Sequence, residues 1–335
     1  MRSRGLAALG LGLGLLLGAC GGETTTPPAA LVPIDTELEP ERLWERDVGA
    51  GSGERYLALR PAAAGEVVYA ASRDGTVVAM EAATGERIWS TDTELPVTGG
   101  VGLAPGKVLL GTGDARVVAL DAGSGERLWT SPVSSEVLAP PAGGRDLVAA
   151  RTVDGKIFAL SAGSGERRWR YDGGVPVLTL RGTGAPVIVD GTVVAGFDNG
   201  KLVALDAADG RQLWETAVAV PGGRSELERM VDVDGTPSVV ESNVYAAAFQ
   251  GRVVAVALES GQILWAREIS VHDDVGVAGD VLYVTDDGDN VWALDRRTGA
   301  SLWKQDKLPR RRVTAPVSFG EYVVVGDLDG YVHWM

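Results

Sequence analysis

The 335-residue chain has a single cysteine, Cys20, so no disulfide can form within it. Its only histidines, His272 and His333, leave little material for a histidine-rich zinc site or a Ser-His-Asp triad. Positive charge is in deficit: 31 Lys and Arg against 45 Asp and Glu give a formal net charge of −14 at pH 7. Nucleic-acid affinity comes mainly from Lys and Arg on phosphates, so no nucleic-acid partner is expected. The same balance argues against broad adhesion to anionic lipid headgroups. The apolar run at residues 6–17 is too short to cross a bilayer core of about 30 Å as a helix.

What the chain does have is glycine, 46 residues of it, and a hydrophobic fraction of 45%, enough for many tight turns around a sizeable core. The glycines fall in a repeat. Val117-Val118-Ala119-Leu120-Asp121 leads through Ser124-Gly125 to Trp129, and the same pattern ends on Trp89, Trp169, Trp214, Trp265 and Trp303. The intervals between these tryptophans are 40, 40, 45, 51 and 38 residues. A period near forty with β-type sequence in each unit is the signature of a propeller. The continuous run Val-Val-Ala-Leu suits a strand buried on both faces. A Ser-Gly, Thr-Gly or Asp-Gly reversal follows, then a strand ending on a tryptophan large enough to wedge between neighbouring sheets. Upstream turns at Asp74-Gly75, Asp154-Gly155, Asn199-Gly200, Gln250-Gly251 and Asp329-Gly330 mark a second hairpin. Each unit therefore reads as four antiparallel strands, and the fold class as an all-β propeller spanning residues 43–335.

Residues 1–19 read as a signal peptide, with Arg2 and Arg4 ahead of the apolar run. Leu17-Gly18-Ala19-Cys20 resembles a bacterial lipobox, which implies cleavage before Cys20 and lipid attachment there. Gly21-Gly22 follows, with no Asp in the next position; by resemblance to Gram-negative lipoproteins this favours the outer membrane. Residues 20–42 read as the lipidated cysteine and a flexible tether. Leu43-Trp44 to Gly49 reads as the outer strand of a blade whose first three strands do not precede it. The chain ends with three strands, from Ala315 to Met335, which together with the strand at Trp44 could close a seven-bladed ring.

The two long intervals locate extra residues between blades. Five lie near residues 175–182, between the third and fourth units, and eleven lie in residues 221–234, between the fourth and fifth. Both join an outer strand to the next inner strand, so both are expected on one face as neighbours, where long loops on a rigid scaffold carry function.

At these loops the chain resembles a particular family. Repeats of the form Ala-Leu-Asp-x-x-x-Gly-x-x-x-Trp resemble those of quinone-dependent dehydrogenases and of BamB, the lipoprotein of the outer-membrane β-barrel assembly machinery. Leu178-Thr179-Leu180-Arg181-Gly182 with Ala185-Pro186, and Arg229-Met230-Val231-Asp232-Val233-Asp234 before Thr236-Pro237, are similar to BamB in particular. The resemblance implies an eight-bladed propeller, of which this chain encodes about seven with the C-terminal blade absent. It also implies a non-catalytic scaffold without cofactor, anchored in the outer membrane and facing the periplasm. Its partner would be the periplasmic part of BamA, met through Leu178, Leu180, Arg181, Asp232 and Asp234; unfolded outer-membrane proteins are a further partner class. Read from the residues alone, Leu178 and Leu180 serve as core residues of an inner strand, and Asp232 and Asp234 as turn formers.

The competing function is a periplasmic quinone-dependent dehydrogenase, which needs Ca²⁺ held by oxygen ligands and a catalytic aspartate. Asp286-Asp287-Gly288-Asp289-Asn290 is the oxygen-rich candidate, but it occupies a hairpin position where Asp, Gly and Asn are the usual turn residues. The basic run Arg310-Arg311-Arg312 falls in the connection before the last blade, on the face expected for the long loops.

Overall fold

In the computed structural model, which describes residues 26–33, 38–53, 57–176, 178, 182, 184–222, 224–225 and 227–335, seven antiparallel sheets succeed one another along the chain. Blades 1 to 6 span residues 62–92, 97–132, 142–172, 187–217, 238–267 and 276–305, each a meander of four strands; blade 7 spans 317–334 with three. The architecture is the propeller anticipated from the forty-residue period.

The register explains why the repeat reads as it does. In all six complete blades the alanine of the motif lies opposite the tryptophan: Ala79 against Trp89, Ala119 against Trp129, Ala159 against Trp169, Ala204 against Trp214, Ala255 against Trp265 and Ala293 against Trp303. A small residue there leaves room for the indole on the neighbouring strand. One residue later each ladder carries a bulge, which sharpens the twist before the turn. The turn closes when the glycine N–H donates to the carbonyl four residues back, as from Gly125 to Asp121 at 2.8 Å.

The indole then reaches forward into the next blade. Trp89 Nε1 donates to Ala122 O at 2.9 Å, Trp129 to Ala162 O at 3.1 Å and Trp169 to Ala207 O at 2.9 Å. Each ring also covers the turn glycine beyond: a Cβ at Gly165, whose φ is +73°, would sit 2.7 Å from Trp129 Cε3. Glycine is required there both by the backbone and by the ring.

Apolar packing follows the same blade-to-blade logic. Six clusters fill the six spaces between consecutive blades, for example Val148, Phe158 and Leu160 of blade 3 against Leu109, Val117 and Trp129 of blade 2. Because each inner sheet is covered on both faces, its strands are continuously apolar, as in residues 157–160, instead of alternating.

Three features depart from the sequence expectations. Residues 43–48 lie in no strand, although Trp44 keeps the tryptophan role: its Nε1 donates to Ala82 O at 2.9 Å and its ring covers Gly85. The last sheet therefore has three strands among the described residues, and Val317, Phe319, Tyr331 and Val332 of blade 7 are exposed. Second, part of the expected tether is tied down: Ala29 N–H donates to Pro309 O at 3.1 Å, and Arg311 Nη1 to Ala29 O at 2.9 Å. Arg311 is itself buried, paired with Asp327 at 2.7 Å and Asp329 at 2.6 Å, so the basic run is only partly a solvated surface. Third, the short strand Ala58–Leu59 runs parallel to the inner strand of blade 2, and the Arg60 that follows it ion-pairs with Asp274 at the entry to blade 6.

Replacing Gly165 with Ala forces a positive φ on a Cβ and drives that Cβ into the Trp129 ring. The expected loss is about 3 kcal/mol in urea unfolding of the purified chain, against a few tenths for Gly163→Ala in the same turn.

Candidate docking site

Connections from one blade to the next pack against the turns between second and third strands, which places both sets on one face. Ser134 Oγ donates to Asp154 Oδ1 at 3.0 Å, Gln250 N to Ser270 Oγ at 2.7 Å and Val313 N to Asp289 Oδ1 at 2.8 Å. The two long connectors adjoin there. Ala185 N donates to Thr236 Oγ1 at 3.1 Å across them. Between them lies an open groove of about 280 Å³ lined by Pro176, Leu178, Asn199, Pro221, Met230 and Val231. Leu178 is 46% exposed at its edge, and Val175 and Val220 of the same two connectors are exposed as well. Leu178 is thus surface, and its reading as an inner-strand core residue is corrected. Leu180, Arg181 and Cys20 lie outside the described residues.

Asp232 and Asp234 are placed differently from a rim of surface charge. Both are buried, at 0% and 7% exposure. Residues 231–234 are extended, with Phe249 N donating to Asp232 O at 2.8 Å and Val233 N to Phe197 O at 3.2 Å. Alternation in an extended chain sends Val231 and Val233 into the core between blades 4 and 5, and Asp232 and Asp234 to the opposite side. They support the groove from beneath and do not line its surface. The resemblance counted both among the contacts to a partner; in this structure their side chains are buried.

Beneath the groove the two aspartates share a site with Arg151, from the strand Leu147–Thr152 of blade 3. Arg151 and its ion-pair partner Asp198 are each only 4% exposed. A guanidinium with carboxylates nearby is the usual solution for buried charge. Burial pulls the Arg151 pKa down from its usual value, while Asp234 and Asp232 oppose that shift. Burial, and then the charge of Asp232, pushes Asp234 up to about 7, with Arg151 and His272 pulling the other way. The next connector closes the floor: Thr236 N donates to Asp274 Oδ1 at 2.6 Å, Asp274 pairs with Arg60, and His272 Nδ1 lies 3.1 Å from Asp287 Oδ1.

Sequence reasoning missed Arg151, Asp198, Asp274 and Arg60. One signal was available for the first: Arg151 stands in the strand Leu147-Val148-Ala149-Ala150-Arg151, where other blades carry Ala71, Gly111 or Gly196. The Asp286 cluster is resolved as a turn. Its carboxylate accepts from Gly288 N, Asn290 N, Asn290 Nδ2 and Trp292 Nε1, all between 2.8 and 2.9 Å, so its oxygens are committed to the hairpin.

Fold and site together define a β-propeller of tryptophan-capped blades whose variable connectors gather on one face over a buried charge cluster. A family model described as "Outer membrane protein assembly factor BamB" matches residues 35–98 and 73–305. The protein of that name from Pseudomonas aeruginosa is 53% identical over 327 residues, covering 98% of this chain and 86% of its own length. The crystal structure of BamB from Moraxella catarrhalis superposes with a TM-score of 0.78 at 33% identity, covering 83% of this chain and 85% of that one. The chain belongs to the BamB family. A quinohemoprotein alcohol dehydrogenase from Pseudomonas putida shares the fold alone, at 14% identity with a TM-score of 0.66 over 83% of this chain and 65% of its own.

The titration of Asp234 has a measurable sign. Its folded pKa lies above the ordinary aspartate value of 3.8, so the protonated form favours the folded state. That stabilisation is fully present below pH 4 and is lost as pH rises through about 7. Asp234→Asn, neutral throughout, should nearly match the wild type at pH 4, gain on it steadily up to about pH 7, and exceed it by on the order of 2–4 kcal/mol at pH 8. Parallel denaturant titrations at pH 4 and pH 8 make the comparison; an equal difference at both would show that the carboxylate titrates normally.

Proposed function

We propose that this chain is a non-catalytic scaffold of outer-membrane protein assembly, held at the outer membrane by lipid on Cys20 and facing the periplasm. The groove between the two long connectors docks on the periplasmic part of BamA. Membership of the BamB family supports the assembly role and the outer-membrane association. The observation that carries the docking assignment is the groove itself: Leu178 and its apolar neighbours stand exposed on a rigid scaffold, at the place where both extra-length connectors meet. Interface anchors are of this kind, apolar side chains beside a groove with charge close at hand. Leu178, with Leu180 and Arg181, makes the direct contact, and Asp232 and Asp234 hold the loop that opposes them.

The quinone-dependent dehydrogenase reading is weakened by the Asp286 turn, which spends the candidate ligand oxygens on its own backbone and on Trp292. A quinone-supported dye-reduction assay separates the two: turnover above a denatured control would favour the enzyme.

Replacing Leu178, Leu180 and Arg181 by Ala should reduce co-purification with BamA from solubilised outer membranes at least tenfold, since truncated anchors typically cost 2 kcal/mol or more. The melting curve should stay within a degree or two, and undiminished recovery of BamA would remove the docking assignment. Cys20→Ser should move the chain from the membrane pellet to the soluble periplasmic fraction, and retention in the pellet would show that the anchor lies elsewhere.

A further inference from the structure

The inter-blade spaces are filled mainly by apolar side chains, yet beneath the groove, as at Arg311 and Asp327 by the last blade, charge is buried. Arg151 rises from a strand of blade 3 in which every residue is buried. Its Nη2 pairs with Asp198, in the turn of blade 4 that helps line the groove. Its Nη1 has no hydrogen-bond partner, and neither has the buried Oδ1 of Asp234 on the second connector. Gly182, on the first connector, sits beside both groups. A Cβ built there would lie 2.8 Å from Nη1 and from Nη2 of Arg151, and would collide with Asp234 Oδ1. The first connector is therefore threaded, at a residue without a side chain, past a cation rooted in blade 3 and a carboxylate carried by the second connector.

We infer that Arg151 is the positioning residue that sets the two long connectors against each other and so gives the groove its docking shape. The guanidinium suits this task because its planar fork can serve several acceptors in fixed directions, which a lysine ammonium cannot. It also compensates the carboxylates gathered around it; without it, Asp198, Asp232 and Asp234 would repel one another in a site that excludes water. The geometry stands apart from the identity of the partner, but its consequence for docking rests on the function proposed above.

The test is amide hydrogen exchange on the full chain, compared between Arg151→Met/Asp198→Asn, Arg151→Lys and wild type. The double variant removes the ion pair as a unit, so no lone buried carboxylate is left at Asp198 to unfold the blade. Exchange at Leu178, Gly182 and residues 231–234 should quicken at least tenfold in it, with residues 107–112 and 156–161 unchanged. Arg151→Lys should recover part of that protection. Phe158→Leu, which loosens the same blade through lost packing, should leave both connectors at wild-type rates. Co-purification with BamA should fall in the double variant in step with the loss of protection. Unchanged exchange in both connectors would overturn the inference, as would an equal effect from Phe158→Leu. Should the double variant fail to fold, Gly182→Ala carries the same test: it wedges the slot open and should quicken both connectors, and unaltered rates there would equally overturn the inference. Faster exchange with undiminished BamA recovery would leave the positioning role standing and count against the docking assignment instead.

Discussion

The structure depends on an indole laid over a glycine. Blades 1 to 5 each end on a tryptophan that crosses to the next blade, covers the turn glycine and donates its N–H to a carbonyl in that turn. The contact combines burial of a large ring with a satisfied polar tip, which few other side chains could supply. It also couples neighbours directionally, because the ring belongs to one blade and the turn to the following one. Where no following turn is described, the effect shows: Trp303 is 40% exposed, while Trp129 and Trp214 are at 8% and 7%.

Blades joined this way leave their connectors free to differ. Stability comes from nearest-neighbour interfaces, so added length between blades costs little so long as it stays on the surface. The two long connectors use that freedom, and they order themselves through charge where the blades use apolar packing. Val231 and Val233 still enter the inter-blade core, but Asp232 and Asp234, which alternate with them, face Arg151. Burying a guanidinium and several carboxylates is unfavourable without mutual compensation, so the cluster gives direction and register to the loops more than it adds stability.

The forty-residue period, the strand-turn-strand reading of each unit and the shared face of the connectors were all visible in the residues themselves, because the tryptophan and glycine positions are dictated by local geometry that repeats. The candidate site was visible in part. Leu178 was picked out by its connector and by family resemblance, and it is indeed exposed. Asp232 and Asp234 were picked out as well, as partner contacts by resemblance or turn formers by residue type, with no sign that they are buried. Nothing in the stretch Met230-Val231-Asp232-Val233-Asp234 says which side of an extended strand meets solvent when both sides meet protein. Arg151 went unnoticed because its partner Asp198 lies 47 residues away and belongs to another blade.

By itself, then, the sequence determined the repeating unit: alanine opposite tryptophan, glycine under the ring, buried strands between turns. These follow from contacts within one unit or between a unit and its successor, at spacings the chain displays openly. Tertiary structure alone decided which polar groups were buried together, since Arg151, Asp198, Gly182 and Asp234 come from four segments that meet only when the blades are arranged around a common axis. Whether an aspartate is a surface charge or a buried one is a property of that assembly, because desolvation depends on everything packed around it and not on its neighbours in the chain.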